Sequence, residues 1–262
     1  MTSNLDFAQV TKSFTDAKTG TTVTAVDGMT FSIAAGERVA VVGPSGCGKS
    51  TILNMASGLY QPTRGEVLID GRPVTAPRPE VGFMLQKDLL LPWRSIVENV
   101  EFGLEERPLS KADRRKRALE ELTRMQLGEF ADSYPHQLSG GMRQRAALAR
   151  TLAIDPEVVL LDEPFSALDA QTKLILQRHF ARTLARSGVT CVLITHDLNE
   201  AVIMADRVIV LSGRPGRVID DFRIELDEPV DPLTRKFDPA SAVYARRLFD
   251  LLHLGDDDEM VA

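Results

Sequence analysis

The octapeptide Gly43-Pro-Ser-Gly-Cys-Gly-Lys-Ser50 constrains this chain more than any other stretch. It fits G-x-x-x-x-G-K-[ST]. A turn this tight needs glycine, and its successive backbone N–H groups point inward at anionic oxygens. The apolar run Val39–Val42 before it reads as a strand buried on both faces. The segment Thr51–Leu59 after it reads as a helix, opening at about Lys49 with its positive N-terminal end toward the turn. Strand, glycine-rich turn and helix together make a phosphate cradle of Gly43, Pro44, Ser45, Gly46, Cys47, Gly48, Lys49, Ser50 and Thr51. Lys49 is placed to reach β- and γ-phosphates, and Ser50 to hold Mg²⁺. Cys47 lies near a helix N-terminus, where a thiol can be acidified, but the position serves the backbone.

A second apolar run, Val158–Leu161, ends in Asp162-Glu163. Two adjacent carboxylates fill a core poorly. They suit a metal at the carboxyl end of a strand, where α/β sheets bind ligands. Asp162 then binds Mg²⁺, mostly through water, and Glu163 polarises an attacking water as general base. Thr190–Ile194 and Val208–Leu211 are two more β-branched runs, and strands separated by helix-like segments argue for an α/β sheet with parallel strands. His196 follows the Thr190–Ile194 run in Thr-His-Asp. A lone histidine at a strand end is commonly a satisfied core residue. Here the shared sheet aims it at the γ-phosphate.

Other classes are excluded by composition. With 31 Lys and Arg against 37 Asp and Glu, the formal net charge is -6, so no basic footprint for nucleic acid exists. Two cysteines are too few for a disulfide framework and read as free thiols in a reducing cytoplasm. The start of the chain has no apolar core of a secretory signal. The longest apolar stretches, such as Val189–Thr195, fall far short of the roughly 20 residues that span a bilayer.

From Ser95 to about Ile154 the chain turns rich in Glu, Arg, Leu and Ala. Within it, Lys111–Met125 reads as a helix with Ser110 as N-cap, its cations interleaved with glutamates on a solvated face. Leu138-Ser-Gly-Gly-Met-Arg-Gln-Arg145 follows, 23 residues before Asp162 counting from Ser139. Ser139 as N-cap, with Gly140 and Gly141 exposing N–H groups at the head of the helical run Met142–Leu152, makes an anion site.

The phosphate cradle, Leu-Ser-Gly-Gly and the strand–Asp–Glu, in this order, resemble the ATP-binding subunits of ABC transporters over roughly residues 5 to 220. The resemblance implies a nucleotide-binding α/β core with a mixed, mainly parallel sheet and flanking helices, interrupted by an α-helical subdomain: the ABC ATPase fold. Residues 1–87 and 157–222 form the ATP-binding core, with an N-terminal antiparallel part. Residues 88–156 form the helical subdomain, and 223–262 a C-terminal extension. That extension carries one amphipathic helix, marked by Val243, Tyr244, Leu248, Leu251 and Leu252, and the acidic run Asp256–Glu259.

The same resemblance gives further residues a role. Phe14 corresponds to the aromatic that stacks on adenine, although a core phenylalanine reads the same way. Gln86 corresponds to the glutamine that senses the γ-phosphate and Mg²⁺. Ser166-Ala-Leu-Asp169 corresponds to a loop reaching across a dimer, and His196 to the switch histidine. Ser139, Gly140 and Gly141 close on the ATP held by another subunit. One chain carries one cradle and one signature, so the working unit is two copies head to tail with ATP between them, hydrolysis releasing the pair.

The implied partners are an integral permease and, indirectly, an extracytoplasmic solute-binding protein, with no nucleic acid. The implied location is peripheral, on the cytoplasmic face of the cell membrane. Gln86-Lys-Asp-Leu-Leu-Leu-Pro-Trp93 and Leu211-Ser-Gly-Arg-Pro-Gly-Arg217 resemble importers of nitrate, aliphatic sulfonates, taurine or pyrimidine precursors, though the second also reads as a plain hairpin turn. Leu89–Trp93 fits either a buried loop between subdomains or a groove wall for a permease helix. A soluble ABC ATPase acting on nucleic acid or ribosomes shares the motifs, but such proteins usually carry two cassettes or a coiled-coil insertion. A small-molecule kinase shares only the cradle.

Overall fold

The computed structural model describes residues 3–227 and 230–252. The chain opens with a long antiparallel hairpin, β1 (Ser3–Thr15) and β2 (Thr22–Ala34). The first central strand, β3 (Arg38–Val42), is followed by α1 (Lys49–Ala56). Two short strands, β4 (Arg64–Ile69) and β5 (Arg72–Pro73), return to the hairpin before β6 (Val81–Met84). Three helices then intervene: α2 (Ile96–Phe102), α3 (Lys111–Arg124) and α4 (Gly140–Ala153). Beyond them come β7 (Val158–Asp162), α5 (Ala170–Ser187), β8 (Thr190–Ile194), α6 (Leu198–Met204), β9 (Arg207–Leu211) and β10 (Val218–Arg223). Helices α7 (Pro232–Phe237) and α8 (Pro239–Leu251) close the described chain.

Two sheets result. One is antiparallel, in the order β2-β1-β4-β5. The other runs β10-β9-β3-β8-β7-β6 and is parallel except for β10 at its edge. β3, β7 and β8 are buried along their whole length, which explains why they read as unbroken apolar runs. Phe7, Met29 and Ile33 of the first sheet share one core with Val39, Val41, Leu160 and Ile194 of the second and with Ile52 and Leu53 of α1. On the opposite face, Leu122 of α3 and Leu148 of α4 pack with Leu161, Phe165 and Leu184. α6 and α8 cover the β3–β9 end through Val202 and Leu248. Pairing Val41 with Ile194 and Leu161 with Leu193 brings the carboxyl ends of β3, β7 and β8 into one row. The site is built on that row.

Two expectations need correction. The helix after the cradle opens at Lys49, as expected, because Gly48 (φ 98°) ends the turn, but it stops at Ala56 and not at Leu59, because Gly58 (φ 82°) ends the helix. The described part of the C-terminal segment holds two helices, not one. Asp238 breaks between them, since a residue before proline disfavours helix. Its carboxylate then accepts from Ala240 N, and Pro239 opens α8 at the position where proline is favoured. Elsewhere the expected helix at Lys111 runs to Arg124, and Ser110 Oγ accepts from Asp113 N at 3.1 Å. The acidic run Asp256–Glu259 lies outside the described residues.

Candidate functional site

The cradle rests on the hairpin sheet. A Cβ at Gly48 would come within 2.5 Å of Val26 Cγ1 and 2.9 Å of Ala25 O, and its φ of 98° is unfavourable for other residues. Glycine is therefore required there by shape as well as by conformation. Lys49 folds back over the turn, its Nζ donating to Gly43 O (2.7 Å) and Pro44 O (2.8 Å). Ser45, Gly46 and Ser50 are exposed. Thr51 lies in the first turn of α1. Cys47 is buried, 3.8 Å from the Lys49 ammonium. Burial pushes its thiol up despite the nearby cation, so the acidification open to it on position alone does not occur.

Asp162 ends β7 with 5% exposure, beside Ser50 at the head of α1. Burial raises its carboxyl above the usual range, and the Ser50 contact opposes that. This pair is a hard-oxygen donor set suited to Mg²⁺, which takes one or two protein oxygens alongside phosphate and water. Glu163 follows with φ 51°, a left-handed conformation that costs a non-glycine residue about 1–3 kcal/mol and recurs where side chains are held for chemistry. Its N–H donates to Ile194 O at 3.0 Å, so the turn is fixed to β8. Glu163 Oε2 receives Gln86 Nε2 at 3.2 Å and lies 3.2 Å from His196 Nδ1. Gln86 from the end of β6, Glu163 from β7 and His196 from β8 therefore meet at one carboxylate. A small cavity of about 80 Å³ beside them is lined by Glu163, Ser166, Thr195 and His196.

Ser139 caps α4, its Oγ accepting from Met142 N at 3.3 Å, and Ser139 and Gly140 are exposed. Asp169 caps α5 through Thr172 N (3.0 Å), and that backbone bond holds its carboxyl below the usual range. Phe14 is 38% exposed at the hairpin end, edge-on to Tyr60 at 5.5 Å, with Lys12 Nζ 5.1 Å from its ring centre. It is thus not a core residue, but a surface aromatic.

Several residues that shape the site carry no obvious sequence signal. Gln144, 4% exposed, donates to Glu163 O (2.9 Å) and Ser166 Oγ (3.2 Å) and accepts from Ala167 N (3.0 Å), tying α4 to the Glu163–Asp169 loop. It stands inside the Leu138–Arg145 signature, and only its burial on the helix could have separated it from its neighbours. A Cβ at Gly141 would meet Leu168 Cδ2 at 2.9 Å, so the same loop packs on the signature glycine. The segment after Gln86 is pinned to α4, because Arg143 pairs with Asp88 (3.0 Å) while Arg150 donates to Asp88 O and Leu89 O. Fully buried Asn99 exchanges hydrogen bonds with the backbone of Leu91 and donates to Arg94 O and Ser95 O. Held this way, the segment buries Leu90 yet leaves Leu89 and Trp93 exposed, the latter by 72%. The stretch is therefore a buried loop only at Leu90; Leu89 and Trp93 stand at the surface.

The fold and the site define a phosphate-anhydride-binding α/β ATPase with a signature helix. The ABC transporter family profile matches residues 26–166. An uncharacterised ABC transporter ATP-binding protein of Methanocaldococcus jannaschii is 43% identical over 233 residues, covering 89% of this chain and 86% of that one. A taurine import ATP-binding protein of Yersinia pestis is 46% identical over 196 residues, covering 75% and 77%. Two solved structures of a related cassette superpose well. One is a dimer (TM-score 0.78, 35% identity) and the other a dimeric post-hydrolysis state with ADP and phosphate (TM-score 0.77, 34% identity); each covers 85% of this chain and 99% of the other. The chain belongs to the ABC transporter ATP-binding family. It is an ATP-binding ATPase subunit. Among the described residues, no helix is long and apolar enough to cross a membrane.

Proposed function

We propose that this chain drives a membrane importer by closing on a second copy of itself around ATP. The observation that carries the reading is the meeting of Gln86, Glu163 and His196 at one carboxylate beside the cradle. Glu163 is the general base: it takes the proton of the water that attacks the γ-phosphate. His196 and Gln86 hold its Oε2 and, with ATP in place, turn toward the γ-phosphate. Lys49 leaves its carbonyl partners for the β- and γ-phosphates, and the cradle's N–H groups bind the remaining oxygens. Phe14 carries the adenine. Ser50, Asp162 and Gln86 would hold Mg²⁺, which supplies charge neutralisation across the phosphates.

The signature, Ser139–Gly141, exposed at Ser139 and Gly140, caps the ATP of the second copy, and Asp169 reaches across the same boundary. The dimeric form of the related cassettes supports this arrangement. Residues 88–156 act as a subdomain that moves with the Gln86 segment, and Trp93 carries that motion to a permease. The taurine-import relatives favour a small anionic or zwitterionic solute: nitrate, a sulfonate, taurine or a close analogue. An extracytoplasmic binding protein would present it, and the subunit would work at the cytoplasmic membrane face. Glu163→Gln tests the chemistry: turnover falls by roughly 10²–10⁴ while ATP binding persists. Wild-type turnover would remove Glu163 from the role of base.

A further inference from the structure

We propose that Lys173 is a positioning residue for hydrolysis, tying the helix after Asp169 to the loop that carries His196. The inference rests on the roles given above to Glu163 and His196. Lys173 lies one turn into α5. Its Nζ donates to Asp197 Oδ2 (2.8 Å) and to Glu200 Oε2 (2.5 Å). Asp197 directly follows His196 and caps α6 by accepting from Glu200 N at 3.1 Å. Glu200, only 3% exposed, also accepts from Gln177 Nε2 (3.2 Å). Thr195 Oγ1 in turn accepts from Asp197 N at 3.0 Å. Asp197, on one side of His196, is therefore tied directly to the ammonium, and Thr195, on the other, is tied to it through Asp197.

His196 itself is largely solvent-exposed and touches Glu163 through a single 3.2 Å contact. Nothing in its own packing fixes the ring, so its place is set by the backbone on either side. Lys173 lines the same small cavity as Glu163 and His196, behind the site. A buried ion cluster of this kind contributes little net stability, because desolvation offsets most of the Coulombic gain. What it does fix is the register of the two elements it joins. Here these are the Asp169 loop, through α5, and the His196 loop, through α6. The arrangement makes hydrolysis depend on where α5 stands relative to the switch histidine.

The test uses the full-length chain with ATP. Steady-state kcat and KM, ATP Kd and the melting temperature are measured for wild type, Lys173→Met, Lys173→Arg, His196→Ala and the Lys173→Met/His196→Ala double variant. Lys173→Met should lower kcat about tenfold with Kd changed less than about threefold, and Lys173→Arg should restore most of the rate. In the His196→Ala background, Lys173→Met should add less than about twofold, because the two act through one contact. A wild-type kcat for Lys173→Met beside a slow His196→Ala overturns the bridge alone. Independent, multiplying losses overturn it too. Wild-type turnover in His196→Ala overturns the role of the histidine and the proposal with it. If Lys173→Met does not fold, Lys173→Met/Glu200→Gln removes both charges of the closest pair and should fold; the same slow, His196-dependent turnover is expected, and a wild-type rate refutes the proposal.

Discussion

Gly216 ties the Gly213–Arg217 turn to the nucleotide site. Its N–H donates to Ala25 O at 2.9 Å and its carbonyl accepts from Asp27 N at 3.0 Å, so the turn is locked to β2 on both sides. A Cβ added there would overlap the Cys47 carbonyl oxygen, far inside the 3.0 Å that real Cβ atoms keep, and would also lie 3.2 Å from Cys47 C and 3.3 Å from Met29 Cε. The obstruction is cradle backbone, not a flexible side chain. With the turn locked, the cradle must yield, by about 1 Å. Overpacking of a tight site costs about 1–3 kcal/mol, and about 1.4 kcal/mol is tenfold in affinity, so a cost borne by the nucleotide-binding backbone gives a roughly 10- to 100-fold rise in ATP Kd for Gly216→Ala. Gly213→Ala is the control, since a Cβ there meets nothing within 4 Å. Titration with a fluorescent ATP analogue reads the affinity, and thermal melting reads the part of the cost borne by folding, at roughly 2–4 °C per kcal/mol. Equal affinity and equal melting for the two variants would refute the steric argument.

Two further outcomes follow from burial. Trp93→Ala should fold and bind ATP as wild type does, since its ring is 72% exposed, while transport per ATP in vesicles reconstituted with the permease falls severalfold; unchanged coupling excludes Trp93 from the docking surface. Neither thiol should react with iodoacetamide at pH 8 in the folded protein. Burial pushes Cys191 from 9.0 up to about 12, and the same cause raises Cys47. A thiol raised on folding contributes stability that is complete below 9.0 and is lost progressively as pH climbs from there to about 12, so neither thiol ionises in the folded protein across the neutral range and labelling should appear on unfolding. Rapid labelling of native protein contradicts that burial.

Motifs with a tight chemical reason were legible in the sequence. The cradle, Asp162-Glu163 and His196 stand at strand ends because Val39–Val42, Val158–Leu161 and Thr190–Ile194 could only be buried strands. The hairpin β1–β2 was less visible, since one face of each strand is polar and its register shifts repeatedly. Gln144, Lys173 and Glu200 were not legible as site residues. Polar residues on helices usually face water, and only the tertiary packing of α4, α5 and α6 reveals that these turn inward. The exposure of Trp93 had the same origin: Asn99 and Arg150 hold the segment from a distance in sequence that no local pattern reports.

The account centres on ATP held between the cradle of one copy and the signature of another, with Glu163 ending that state. Light scattering of Glu163→Gln at saturating ATP and Mg²⁺ tests this most directly. The account predicts twice the 28.8 kDa mass of a single chain, reverting to one chain when Ser139→Arg is added, because the arginine fills the anion site at the head of α4. A Glu163→Gln protein that binds ATP fully yet stays at 28.8 kDa at high concentration contradicts it.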